Sequence, residues 1–161
     1  MPYTTYDSPV GMLTLVASDA GLQAVWWPDD TRAKPTGDRD DTHPVLLLTR
    51  TQLDEYFDGR RRVFDLPLDP SGTPFQQKVW EVLRGIPYAE TITYGEQARR
   101  LGDVRKARAV GAANGRNPIS IIVPCHRVIG STGALTGFAG GMDAKGWLLA
   151  FEEGTARTQG R

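Results

Sequence analysis

The run LPLDPSGT, residues 66–73, marks a change of pattern that restricts this chain to two structural regimes joined by a linker. Before it, apolar side chains come in short β-rich runs broken by turn residues. YTTYDSPVGMLTLVAS holds two strands around the turn Ser8-Pro9-Val10-Gly11, and LQAVWW follows the turn Asp19-Ala20-Gly21. The stretch 28–42, PDDTRAKPTGDRDDT, has no large apolar side chain and reads as a loop that takes in His43 at its end. Pro44 then suits the first turn of a helix carrying Val45, Leu47, Leu48, Leu53, Tyr56 and Phe57 and ending near Gly59. A short strand is expected around Arg62–Leu66.

After the linker the signals are helical. Thr73 can cap a helix with Pro74 at its first position, and Phe75, Val79, Leu83 and Ile86 fall on one face. Thr93 and Glu96 have capping-box spacing, which predicts a helix from Tyr94 to about Leu101, stopped by Gly102. Asp103 can cap the next helix, VRKARAVGAANG, ending at Asn114-Gly115. Two short helices around a glycine-containing turn spell a helix-turn-helix, although any three-helix domain could share that geometry. Ala107, Ala109, Gly111, Ala112, Ala113 and Gly115 make the second helix unusually slim. Close helix packing accounts for some of that face, and a narrow groove would need the same smallness.

Charge sharpens the division. The chain is neutral overall, yet residues 1–69 hold 7 Lys/Arg against 12 Asp/Glu, and the remainder holds 12 against 7. Arg99, Arg100, Arg105, Lys106, Arg108, Arg116 and Arg127 lie in one span whose only acid is Asp103. Such a field attracts polyanions, and its ordinary alternative is a solvated helix face. No apolar run approaches membrane-spanning length, and the first residues lack a signal-peptide pattern. A single cysteine excludes an internal disulfide and every multi-cysteine zinc site, so the expected setting is reducing and cytoplasmic, with no metal and no cofactor.

That cysteine, Cys125, sits in NPISIIVPCHRVIG. Ile119, Ile121, Ile122 and Val123 look like a buried strand, and Pro124 is suited to open a helical turn. Cys125 near the N-terminus of such a turn, with Arg127 and a protonated His126 beside it, would favour a thiolate. An unpaired cysteine is more often a small buried hydrophobe. Neighbours on a strand face opposite ways, so a bridging water is the easier link from Cys125 to His126. A base of this kind needs a carboxylate behind it. The last helix, DAKGWLLAFEEG, offers Glu152 and Glu153 close to its C-terminal end, with Asp143 as its expected cap.

PCHRVIGSTGALTGFAGG resembles the active-site signature of the O6-alkylguanine-DNA alkyltransferases, the methylated-DNA–protein-cysteine methyltransferases. TPFQQKVWEVLRGIPYAETITYGEQA, ARAVGAANGRNPISIIVPCHRV and KGWLLAFEE resemble the same family in the same order, and SPVGMLTL does so more weakly. The resemblance implies an α+β chain: residues 1–69 as a ribonuclease-H-like small sheet domain, and 70–154 as a helical, winged-helix-like domain with the helix-turn-helix. Residues 155–161 would be a flexible tail. It implies irreversible transfer of the alkyl group of O6-alkylguanine, and of O4-alkylthymine, in double-stranded DNA to Cys125, with one turnover per molecule. His126 resembles the water-bridged base, Glu152 its orienting carboxylate and Asn117 the hinge. Tyr94 resembles the donor to guanine N3, and Arg108 the finger that fills the stack after base flipping. Gly95, Ala107, Gly111 and Ser131 would lie on the DNA, with the slim helix in the minor groove. Val128, Phe138 and Ala139 would line the pocket, the first and last through backbone groups. Phe138 replaces a tyrosine common in the family, and Ala139 a serine found in some members. A monomer is implied, with cooperative binding along DNA left open. Two rival readings remain: a Cys-His-Glu hydrolase, which would have no use for the basic helix, and a non-catalytic lesion-binding protein, which would have no use for Cys125.

Overall fold

The computed structural model describes residues 1–30, 37–133, 138 and 141–160. Contacts divide the chain into two units, Met1–Ser71 and Gly72–Arg161. In the first, β1 (Tyr3–Ser8), β2 (Gly11–Ala17) and β3 (Leu22–Trp26) form an antiparallel sheet in that order. Register follows the alternation of the sequence: Thr4 opposes Leu15 and Tyr6 opposes Leu13, so the buried faces of β1 and β2 coincide. Helix α1 (Pro44–Phe57) covers this face with Leu46, Thr49, Leu53 and Tyr56. Leu47 and Leu48, read as part of the apolar set, are exposed, because the helical period selects Leu46 instead. His43 is no idle loop residue: its Nδ1 accepts the Val45 N–H at 3.2 Å and caps α1. The expected strand at 62–66 does not form. The Gln52 amide takes both backbone groups of Asp65, donating to its carbonyl at 2.9 Å and accepting its N–H at 2.8 Å, so no ladder is needed there.

In the second unit, Thr73 caps α2 (Pro74–Arg84), which buries Val79, Trp80 and Leu83. Strand β4 (Ile92–Thr93) runs directly into α3 (Tyr94–Arg100), where the Thr93 hydroxyl accepts the Glu96 N–H at 3.1 Å. The box is not reciprocal, because the Glu96 carboxylate holds Arg99 at 2.7 Å and Arg100 at 2.8 Å. Gly102, at φ +100, makes the turn. Asp103 caps a single tight turn, Val104–Lys106, that leads into α4 (Ala107–Gly115). Gln97 and Asn114 exchange two amide hydrogen bonds of 2.9 and 2.7 Å between α3 and α4. Both side chains are buried, so this pair sets the register of the helix-turn-helix.

Every residue from Asn117 to Val128 is buried. Val128 and Ile129 form β5, parallel to β4 with Ile92 opposite Val128. Helix α5 (Met142–Thr158) starts from Gly141 at φ +89, and Asp143 is an exposed first-turn residue, not the cap. The helix continues four residues into the stretch read as a tail, because Ala156 extends the buried stripe of Lys145, Leu148 and Glu152. Among the described residues no helix is long and apolar enough to cross a membrane.

Candidate active site

Three local features build the site around Cys125. The run before it buries as expected but is not a strand. Ile121 has φ +75, and the Ile122 N–H reaches the Ser120 carbonyl at 2.9 Å across it, a γ-turn of the rarer hand. A β-branched residue in that region costs about 1–3 kcal/mol, and strain of this size is kept where the surroundings over-determine it. Pro124, at φ −84 and ψ 67, makes a second γ-turn closed by the Cys125 N–H on the Val123 carbonyl at 2.9 Å. Asn117 clamps the loop between them. Its Oδ1 accepts the Ile119 N–H at 3.0 Å, and its Nδ2 donates to the Val123 carbonyl at 2.8 Å. The Asn117 and Ser120 side chains also act to lower the pKa of the sulfur. The end of α4 is thereby tied to the cysteine two turns later.

The short turn Cys125–Arg127 follows, and its side chains separate. His126 is fully buried, with Nε2 at 2.7 Å from Glu152 Oε2. Arg127 grips the same carboxylate through Nε at 2.9 Å and its terminal nitrogen at 3.0 Å, and it donates to the Ile86 carbonyl at 2.8 Å. The Ala89 N–H, held at φ +63, supplies a further donor to Glu152 at 3.2 Å. Burial alone would raise the Glu152 pKa, but the bonds from His126 and Arg127 outweigh it and hold this carboxyl well below its ordinary range. An ionised carboxylate can only accept, so Nε2 carries the imidazole proton. Nδ1 is left with its lone pair, buried and with no hydrogen-bond partner among the described residues.

The resting charge state differs from the sequence-based expectation. Burial drives the His126 pKa down, with Glu152 opposing, so the imidazole is neutral. Burial also pushes the Cys125 thiol up, against the bonds from Asn117, the charge of Lys145 and the bond from Ser120. Arg127 does not push toward a thiolate as expected, since its charge is committed to Glu152. The geometry is that of a neutral thiol and a neutral base, both buried, awaiting a proton transfer. Glu152 also stands in the middle of α5, two turns before its end, and not at an unfavourable C-terminus. Glu153 lies outward, 3.8 Å from Arg157.

Parallel pairing of β4 with β5 brings the start of α3, and so Tyr94, beside the cysteine turn. The Tyr94 ring lies 5.9 Å from Lys145 Nζ, and a Cβ added to Gly111 would stand 3.7 Å from it. Arg108 is exposed on α4 and makes no ion pair among the described residues. Ser131 is exposed, while Gly95 and Ala107 are half-buried on the helix-turn-helix. Phe138 is buried, as is Val128, whose N–H closes the turn on the Cys125 carbonyl. Ala139 and the rest of the glycine-rich run at 134–137 and 140 lie outside the described residues.

Arg127 as a clamp and Lys145 as a buried neighbour are not in the sequence-based site. Lys145 leaves a signal: it shares with Leu148, Glu152 and Ala156 one helical stripe, where a lysine is out of place.

Comparison with known proteins gives one answer throughout. Residues 74–154 match the family model "6-O-methylguanine DNA methyltransferase, DNA binding domain". Residues 1–70 match "6-O-methylguanine DNA methyltransferase, ribonuclease-like domain". A methylated-DNA–protein-cysteine methyltransferase of Mycolicibacterium paratuberculosis is 47% identical over 93% of this chain and 91% of its own. One from Methanosarcina acetivorans is 44% identical over 94% and 98%. Among solved structures, Mycobacterium tuberculosis OGT in complex with DNA superposes with a TM-score of 0.89 at 45% identity, covering 96% of this chain and 94% of that one.

Proposed function

Because this chain belongs to the methylated-DNA–protein-cysteine methyltransferase family, whose work is alkyl-transfer repair of DNA, we propose that Cys125 is its acceptor and that His126, Glu152, Asn117 and Tyr94 serve the transfer. The chain is an α+β repair methyltransferase that acts on DNA. Its substrate is double-stranded DNA carrying O6-alkylguanine, with O4-alkylthymine as a second target. Binding is through the helix-turn-helix, by a monomer working in the cytoplasm.

The observation that carries this reading is the wiring of His126: Nε2 is fixed on Glu152 at 2.7 Å and Nδ1 is left as the lone-pair nitrogen of the residue that follows the buried Cys125. In the proposed step the thiol proton passes to Nδ1, through one water where the two do not touch. The sulfur attacks the alkyl carbon, a C–S bond forms and the C–O6 bond breaks. Its electron pair returns to guanine, which takes a proton at N3 from Tyr94. An O6 group inside a base pair is out of reach, so the nucleotide must leave the stack. Arg108, exposed and without an ion pair among the described residues, would fill the place it vacates, as intercalated side chains do. Ala107, Gly111, Gly95 and Ser131 lie on the exposed or half-buried part of the same motif and would meet the backbone, where contacts position and do not specify. Val128, Phe138 and Ala139 would border the pocket.

A thioether is a poor leaving group, so the protein is consumed. Cys125→Ser should lose transfer and keep DNA affinity within about twofold, measured by single-turnover assay and by titration of a labelled duplex. Retained transfer in that variant would remove Cys125 from its role.

A further inference from the structure

The connection from α2 to β4 holds an alanine in a conformation that alanine avoids. Pro87–Glu90 is a β-turn closed by the Glu90 N–H on the Pro87 carbonyl at 3.1 Å. Its third residue, Ala89, has φ +63, and among the described residues only Ile121 is another non-glycine with positive φ. A negative φ at Tyr88 followed by a positive one at Ala89 gives the turn the signs of type II. That third position ordinarily takes glycine, because a Cβ crowds the backbone there. A type I turn would suit alanine and close the same four residues. The two types differ by a flip of the central peptide, here Tyr88–Ala89, which exchanges the sides taken by its N–H and its carbonyl. Only the strained form directs the Ala89 N–H to Glu152 Oε1, at 3.2 Å. The relaxed form would turn the Tyr88 carbonyl toward an anion. Its neighbours converge on the same ion pair: the Ile86 carbonyl accepts Arg127 Nη1 at 2.8 Å, and the Tyr88 ring centre lies 5.5 Å from the guanidinium carbon. Strain kept at such a place marks a surrounding that over-determines it.

We propose that Ala89 is a positioning residue of the transfer site: its left-handed conformation aims a backbone N–H at Glu152 and so fixes the rotation of the carboxylate that orients His126. Oε1 is pinned by the Ala89 N–H and by Arg127 Nε at 2.9 Å. Oε2 is thereby turned to His126 Nε2 at 2.7 Å and to the Arg127 terminal nitrogen at 3.0 Å. The inference deepens the proposed function and rests on Glu152 acting behind His126. The charged groups facing Glu152 are His126 and Arg127 on the cysteine turn, with Tyr88 behind Arg127. On α5 itself Lys145 shares the buried stripe and Glu153 turns outward to Arg157. Lys78, Glu81 and Arg84 on α2 and Glu90 beside the turn are exposed.

The test is the single-turnover rate on an O6-methylguanine duplex across pH, with the thermal midpoint, in four proteins: wild type, Ala89→Gly, Ala89→Val and an ester analogue carrying lactate at position 89. Glycine keeps the N–H and relieves the strain, so Ala89→Gly should transfer within about twofold of wild type, with its thermal midpoint held or raised. Valine is excluded from positive φ and should flip the turn, whereas lactate replaces the N–H with oxygen and changes nothing else in the side chain. Both should slow transfer near neutral pH by about tenfold or more. A carboxylate with one donor fewer is more basic and holds an imidazolium more readily. The acid limb of the rate should therefore move to higher pH in both, by roughly half a unit or more. A turn that served the fold alone would lower the thermal midpoint and leave that limb in place. Should Ala89→Val fail to fold, the lactate analogue decides. A lactate analogue with the wild-type rate, a rate lowered equally at every pH, or Ala89→Gly as slow as the analogue would overturn the proposal. Wild-type protein that gains no alkyl group on Cys125 would instead refute the acceptor assignment, a distinct result.

Discussion

Glu152 is the residue on which the site's order depends, because its two oxygens receive His126, Arg127 and the Ala89 N–H. Glu152→Gln keeps the shape and removes the charge, so Arg127 loses its ionic partner and His126 its orienting anion. Transfer should slow by about 10–100-fold, as for other groups that orient a reacting residue through one hydrogen bond. Arg127→Met leaves that carboxylate buried without its bidentate cation, and about 3–5 kcal/mol of unfolding free energy should disappear in denaturant titration. The pair also sets an acid limit. The folded His126 pKa lies below its ordinary 6.5, and the folded Glu152 pKa lies below its ordinary 4.5. In both cases the unfolded chain binds more protons within the interval, so stability rises with pH there. The thermal midpoint should therefore begin to drop below pH 6.5 and drop further below 4.5, with the first phase missing in His126→Gln. A midpoint constant from pH 7 to about 5 would contradict the buried neutral imidazole.

At the scale of elements, α3 and α4 are the pair proposed to meet DNA, and their capping was plain in the sequence. Thr93, Gly102 and Asp103 punctuate the chain by local hydrogen bonds and backbone freedom, which need no tertiary information. The segment 119–123 was legible only in part. Its apolar run announced burial, but a γ-turn at Ile121 is imposed by Asn117 and Ser120, and no local preference of isoleucine points to it. The strand expected at 62–66 failed for a similar reason, since Gln52 satisfies Asp65 from a distance in sequence. Gly111 separates packing from function. A Cβ there would meet Tyr94 at ordinary contact distance, so the fold does not demand glycine. Gly111→Ala should hold or raise the thermal midpoint, by up to about 1 kcal/mol of helix propensity, while weakening duplex binding. Arg108→Ala should slow transfer from a duplex by about tenfold or more, yet leave reaction with free O6-benzylguanine unchanged, because only the duplex has a gap to fill.

For the whole molecule, net charge is a poor guide and its distribution a good one. Several cations of the basic span are already paired: Arg99 and Arg100 with Glu96, Arg105 with Asp103, Arg127 with Glu152. Lys106, Arg108 and Arg116 make no ion pair among the described residues. Three such contacts to phosphates imply a slope of about −3 for log affinity against log salt, not the steeper value that the raw count of basic residues suggests. The two-part α+β organisation and the helix-turn-helix were legible in the sequence, and the partnership of His126 with Glu152 through the family resemblance. The clamp of Arg127 and the burial of Lys145 were not, because they depend on how α5 and the cysteine turn face each other. Stoichiometry probes the assignment most directly. Protein incubated with excess duplex containing O6-methylguanine should acquire one methyl group, mapped by mass spectrometry to Cys125, and should restore one guanine per protein molecule before stopping. Repair that continues beyond one equivalent, or a methyl group found on any residue other than Cys125, would contradict it.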